Sequence, residues 1–251
     1  MNVIKSLCQV YLINMLSNKF VFVFNLLLPT IYFLYQNGKY WSRSSVPFSQ
    51  STNLVISYFW AYIIMMTILN NVIVAMIAQR ENGFYKQLFF IVGSKWKILI
   101  ANFLVQLVVL IGELSIFNVV VMTVFHNWHI NLIIAGVLSA MIVAVPVALM
   151  SSLLFLLKVK IESINILVSI LLLGLFALIN LPESGALSNV INMLNPLTYM
   201  VETSFQMMSL LLNKTFDDRM VLIWVLVTVV YGVIGWFGTS KLSVHSIMDR
   251  V

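Results

Sequence analysis

The sequence predicts an all-α, polytopic membrane protein: six transmembrane helices, an N-terminal interfacial helix and a re-entrant helical hairpin on the outer face. Three observations carry that prediction. Of 251 residues, 61% are hydrophobic and 9% charged, whereas soluble domains carry about 25% charged residues, so a water-facing surface cannot be covered. The apolar residues gather in runs near the length of a membrane span, and lipid leaves exposed backbone groups unsatisfied, so such runs are read as helices. The 14 Lys and Arg and the 8 Asp and Glu fall almost entirely between the runs. Soluble-enzyme, disordered and fibrous classes are excluded, and the net charge of +6 reads as topology rather than as nucleic-acid binding.

The elements follow in chain order within a single transmembrane domain, residues 1–251. In residues 1–19, Ile4, Leu7, Cys8, Tyr11 and Met15 recur at three- and four-residue spacing, the pattern of a helix lying in the inner interface. Val10 and Ile13 interrupt it, and a frayed start to a longer first span is the alternative. Polar residues break this stretch too often for a signal peptide, so the N-terminus is expected to be retained. The first span is Phe20 to Tyr35, short and containing Pro29. The second runs from Asn53 to Ala78, the third from Ile98 to Phe125, the fourth from Leu132 to Leu157, the fifth from Ile164 to Leu181 and the sixth from Met220 to Ser240. Pro146 is expected to kink the fourth. Between the second and third spans, residues 79–97 mix charge with aromatics. Phe84, Tyr85, Leu88 and Phe89 are expected on one apolar stripe of a short helix, with Arg80, Glu81 and Lys86 facing water, a surface suited to another protein's groove. Ser94 is placed to cap the third span. Residues 182–219 are apolar but too short to cross and return. Asn195-Pro196 breaks them, since a residue before proline is pushed out of the helical region. Two short helices dipping into the outer leaflet, as a lid, are expected there.

Flanking charge sets the orientation. With six spans both termini share a side, and the segments on that side hold ten Lys or Arg against four opposite. The termini are therefore expected in the cytoplasm. With the acids included the cytoplasmic side nets +7 and the outer side 0, leaving Glu113 as the one acid within a span.

Glu113 lies about 22 Å along the third span at 1.5 Å per residue. An acid there either meets substrate or titrates during a cycle, or is a hydrogen-bonded structural group between helices. Asn70, Asn102 and Asn118, with Asn71, Gln106 and Asn165, either line a path for an amphipathic solute or bond helices together, the commoner use. His126 and His129 flank Trp128 on a short outer loop. Zinc would need further ligands, so they read as interface anchors, and no metal site is expected. Cys8 is the only cysteine, so there is neither a disulfide framework nor a thiolate cluster. Met193, Met200 and Met207 recur every seven residues, which suits either packing or varied apolar contacts.

Two motifs resemble the membrane subunits of the ABC-2 type transporter family. The family's Glu-Arg-Glu-x-Gly-Thr loop stands here as Gln79-Arg80-Glu81-Asn82-Gly83-Phe84, followed by Leu88. The Asn-Pro-Leu-Thr-Tyr stretch stands as Asn195-Pro196-Leu197-Thr198-Tyr199, running on to Glu202. Gln79 and Phe84 depart from the family pattern, which implies a loop tailored to its own partner. The resemblance implies that Arg80, Glu81, Gly83, Phe84, Tyr85 and Leu88 form a coupling helix docked on a cytoplasmic ATPase subunit. It implies a second permease subunit, identical or different, an outer lid around Asn195, Pro196, Tyr199 and Glu202, and a plasma-membrane location. It also implies export more often than import, of a hydrophobic or amphipathic peptide or drug, with polysaccharide or lipid-linked glycan as the alternative cargo. A phosphate-binding loop needs Gly-x-x-x-x-Gly-Lys-Ser/Thr, and Gly238-Thr239-Ser240-Lys241 has the wrong order. ATP and Mg are therefore expected on the partner, with no cofactor in this chain. An intramembrane hydrolase would need a nucleophile with its base or paired carboxylates, and one lone acid argues against it. An ion-coupled carrier remains as a third class.

Overall fold

The computed structural model describes residues 3–17, 19–41, 45–157, 161–179, 192–215 and 218–244. Among these, all regular structure is helical. Helix α1 is Val3–Ser17 and α2 is Lys19–Asn37. Helix α3, Gln50–Glu81, is continuous but passes through a π-helical stretch at Thr67–Val74. Next come α4, Phe84–Val92, and α5, Lys95–Phe125. Helix α6, Ile130–Ser151, tightens into a 3₁₀ turn at Ser152–Leu156. Helix α7 is Ile161–Ala177; α8, Pro196–Met208, widens into a π turn at Ser209–Asn213; α9 is Arg219–Ser240.

Four of these stretches are long and apolar enough to cross a membrane: Gln50–Glu81, Lys95–Phe125, Ile130–Leu156 and Met220–Ser240. Their apolar character persists on the outside. Leu222, Val225, Val229, Val233 and Trp236 leave an exposed apolar stripe along α9, as Ile166, Ile170 and Leu173 do along α7. In water such patches would drive association, and lipid is their natural solvent. The chain is thus a helical membrane protein by length, composition and surface. The sequence reading places six crossings. The remaining two helices, α2 at 19 residues and α7 at 17, are shorter but lie along the same bundle.

The bundle has two ends. At one, α1 packs on α5, and α4 joins α3 to α5. Leu7 and Tyr11 of α1 are buried, whereas Leu12, Ile13 and Leu16 are exposed, so α1 sits on the bundle with a second apolar face turned outward. At the far end an aromatic cluster ties α2, α3 and α5 together. The Phe33 ring meets those of Phe59, Phe117 and Phe125 at 5.3, 5.4 and 5.7 Å in edge-on geometry, an arrangement favoured by the ring quadrupoles. The far-end loop is fixed by backbone: Val46 donates to Phe125 O, and Asn127 Nδ2 donates to Val46 O.

Helix α8 is a wedge rather than a cap. It packs between α3 and α6, and Leu197, Tyr199, Met200, Val201, Thr203 and Ser204 are all buried. The sequence reading makes this segment a lid. Apolar spacing shows which residues seek burial, not what buries them, so the neighbours of α8 come from the structure alone. Residues 182–191, where the first of the two expected helices begins, lie outside the described residues, as do His245 and residues 158–160.

Candidate functional site

The end that carries α4 is built by two glycines. Gly83 and Gly93 flank the helix at φ of 75° and 69°, a left-handed conformation that costs glycine little and other residues more. The chain therefore leaves α3, makes a nine-residue helix and turns back into α5, where Ser94 Oγ accepts the Lys97 N–H. Tyr85 and Leu88 anchor α4, at 0% and 7% exposed, while Phe90 and Ile91 stand outward at 72% and 82%. Burial raises the Tyr85 and Tyr11 phenols well above their ordinary range. Tyr11 thus keeps its proton and donates it to Gln79 Oε1 at 3.3 Å, linking α1 to the last turn of α3.

The sequence reading places Arg80 and Glu81 on a water-facing side; the structure buries both. Helix α3 continues to Glu81, so the loop begins at Asn82 rather than at Gln79. Arg80 Nε lies 2.7 Å from Glu81 Oε1, with the side chains 1% and 3% exposed. Arg80 Nη1 donates to Phe155 O at 3.3 Å. The charged pair therefore pins the end of α3 to the 3₁₀ turn that ends α6. A periodicity count assumes that charges seek water, and a paired guanidinium at a three-helix junction defeats the assumption. Of the stripe expected on α4, Tyr85 and Leu88 are buried, Phe89 is half-buried, and Phe84 is 37% exposed. Phe90 and Ile91, which the sequence reading does not single out, form the outward face with Gln87. The three-four spacing of Gln87, Phe90 and Ile91 carries the signal.

Beside this junction a cavity of about 430 Å³ opens among α1, α2, α3, α5 and α7. Its polar wall is built mainly of amides, among them Asn25, Asn70, Asn71, Asn102, Gln106 and Asn165, with no charged side chain among the described lining residues. Asn70 and Asn71 sit in the π-helical stretch of α3, a distortion that recurs at functional sites. Asn25 Nδ2, Asn102 Nδ2 and Gln106 Oε1 are buried without a hydrogen-bond partner. A buried polar atom left unpaired costs roughly 1–3 kcal/mol. Asn25, within the first span, is not flagged from sequence, because one amide inside an apolar run gives no sign of what it faces.

Glu113 is fully buried, and its Oε2 accepts the Thr67 hydroxyl at 2.6 Å. It is not part of the amide-walled lining. Asn118 belongs to neither. Its Oδ1 accepts from Trp60 Nε1 at 2.8 Å and its Nδ2 donates to Leu132 O at 3.3 Å, binding α3, α5 and α6 together. Gly136 makes room for that bridge: a Cβ there would lie 2.6 Å from Asn118 Nδ2. The structure thus separates the asparagines that the sequence groups. Asn70 and Asn102 line a cavity, whereas Asn118 is interhelical glue.

Toward the far end, Asn195 caps α8, its Oδ1 accepting the Leu197 N–H at 3.0 Å and its Nδ2 donating to Leu175 O at 2.8 Å. Pro196 occupies the first turn, where its missing N–H is not needed. The Tyr199 and Thr228 hydroxyls are 3.1 Å apart, which joins α8 to α9. Glu202 lies half-buried on α8, near Tyr58 of α3. Tyr58 also lines an aromatic cavity of about 400 Å³ with Tyr32, Phe59, Tyr62 and Phe176. His126 Nε2 lies 3.1 Å from Trp41 O, and the Phe48 and His129 rings are 6.0 Å apart. Met193 and Met200 are buried, which favours packing for that repeat.

No protein-family model matches the chain, and neither a curated protein nor a solved structure matches it.

Proposed function

We propose that the chain is the membrane-spanning permease subunit of an ATP-driven ABC exporter, moving a hydrophobic or amphipathic substrate such as a peptide or drug. In this reading α2 and α7 complete six spans, both termini and α4 face the cytoplasm, and a separate ATPase subunit binds ATP and Mg. The observation that carries the reading is the build of α4. Two left-handed glycines hold a short helix across the end of the bundle, rooted by Tyr85 and Leu88, with Phe90 and Ile91 presented outward. An exposed isoleucine and phenylalanine on a helix form the apolar half of a helix-in-groove contact. The buried Arg80–Glu81 pair and its bond to Phe155 O make α3 and α6 a rigid continuation of that contact. A push on α4 is thereby delivered to two spans at once.

The motif resemblance at residues 79–84 and 195–202 supports the same reading, as does the basic excess expected on the α4 side. A second permease subunit follows from the same resemblance. The experiment is transport by membranes holding the chain together with its co-expressed ATPase. Export that stops when ATP is exhausted and persists when the proton gradient is collapsed supports the proposal. Export that persists without ATP overturns it in favour of an ion-coupled carrier, for which Glu113 would be the natural titrating group.

A further inference from the structure

We infer that the amide-walled cavity at the α4 end is the loading site for the substrate, and that it recognises an uncharged stretch of peptide backbone with apolar side chains. The inference deepens the exporter reading and rests on it for direction, though not for the binding itself.

The wall chemistry narrows the ligand. Asn25, Asn70, Asn71, Asn102, Gln106 and Asn165 supply hydrogen-bond donors and acceptors in equal measure and carry no charge. The side chains of Asn70, Asn71 and Asn165 make no hydrogen bond to a protein group among the described residues. Asn25 Nδ2 and Asn102 Nδ2 are donors in want of an acceptor, and Gln106 Oε1 is an acceptor in want of a donor. These three atoms are sealed within the wall, so an occupant of the cavity meets the amides of Asn70, Asn71 and Asn165, each of which offers both a donor and an acceptor. A ligand that answers both needs must itself carry paired donors and acceptors. An amide does so in one planar group, and successive amides repeat it.

The rest of the wall is apolar. Met15, Phe24, Met66, Val74 and Ala75 face the same space. An oligosaccharide would match the amides but set hydroxyls against those residues, at the cost of unpaired polar groups. A peptide with aliphatic side chains answers both surfaces. Two methionines add side chains that adjust to varied partners. An ionic ligand would find no countercharge among the described lining residues.

The place fits loading. The cavity is bounded by α1, whose second face is apolar and exposed, and by Gln79, which accepts from Tyr11. Gln79 precedes the Arg80–Glu81 pair, so an occupant would touch the element through which α4 is rooted.

The test uses the full chain in lipid nanodiscs and two probes: an N-acetylated, C-amidated hexapeptide of Leu and Ala bearing one benzoylphenylalanine, and maltohexaose. The peptide is expected to bind saturably and to cross-link within residues 66–75 or 102–106. Asn71→Ala and Asn165→Ala, both at positions open to the cavity, should each weaken it about fivefold, the size of one neutral hydrogen bond. A depsipeptide with esters in place of two backbone amides should weaken similarly, a readout that loss of packing alone would not move. Cross-links confined to the Tyr32–Phe176 cavity overturn the inference. So do equal affinities of amide and ester probes, preferential binding of maltohexaose, or no binding by well-folded wild-type chain. None of these outcomes depends on an ATPase, so failure here leaves the exporter reading standing, and ATP-independent transport would leave this one standing.

Discussion

Removing Arg80 takes from the Glu81 carboxylate a guanidinium 2.7 Å away, at a junction where both side chains are buried, 1% and 3% exposed. At a charge separation near 4 Å and an effective dielectric constant of about 20, the attraction is about 4 kcal/mol. Deleting one member of a buried pair typically costs about 3–5 kcal/mol, most of it the uncompensated charge. Total stabilities of about 5–15 kcal/mol make that a large share. Arg80→Met should therefore lose about 3–5 kcal/mol, and Arg80→Met with Glu81→Gln should recover at least half, because the carboxylate charge that faced the guanidinium is removed with it. Arg80→Lys should fall between, since an ammonium lacks the planar fork that serves Glu81 and Phe155 O together. The assay is reversible unfolding of the purified chain in mixed micelles, with α4 orientation followed by a label at position 91. If the two single substitutions add to within about 0.5 kcal/mol of the double, the pair is not coupled and this reasoning is refuted.

Further outcomes follow from the same geometry. Ile91→Asp changes a side chain that is 82% exposed, so the chain should insert and fold as wild type to within about 0.5 kcal/mol, while substrate-stimulated ATP hydrolysis in the reconstituted exporter falls at least tenfold; unchanged stimulation would remove α4 from the coupling path. Gly136→Ala places a methyl group 2.6 Å from Asn118 Nδ2 and close to Trp60, and should cost about 1–3 kcal/mol with a shift in Trp60 fluorescence; a silent substitution would mean that the bridge among α3, α5 and α6 is looser than drawn. Glu113→Gln retains an acceptor for the Thr67 hydroxyl and should export at the wild-type rate with an unaltered pH profile, whereas Glu113→Leu should lose about 1–3 kcal/mol of stability; abolished export in the glutamine variant would mark Glu113 as a working acid.

Much of the frame is legible in the sequence because membrane solvation imposes it. Long apolar runs locate α3, α5, α6 and α9 to within a few residues, and the Gly83 and Gly93 positions bracket α4. Asn195-Pro196 marks the start of α8, since a side-chain cap followed by proline is a local signal. What escapes is set by tertiary contact. Arg80 and Glu81 are charged and look solvent-facing until α6 ends against them. Asn118 and Asn102 are the same residue type on the same helix, yet one spans three helices and the other faces a cavity. Only the neighbouring elements decide between those uses. The π-helical stretch at Thr67–Val74 has no local sequence signature, although it carries both Asn70 and Asn71. The wedge position of α8 needs the clefts of α3 and α6, which no run of apolar residues specifies.

The most direct test of the central claim is site-specific photocross-linking from α4 in native membranes. Benzoylphenylalanine at position 91 should yield one adduct with a nucleotide-binding subunit, lost on adding excess purified ATPase, while the same probe at position 128, exposed at the far end, yields none. An adduct from 128 but not from 91, or no nucleotide-binding protein joined at 91 in cells that export, would contradict the account.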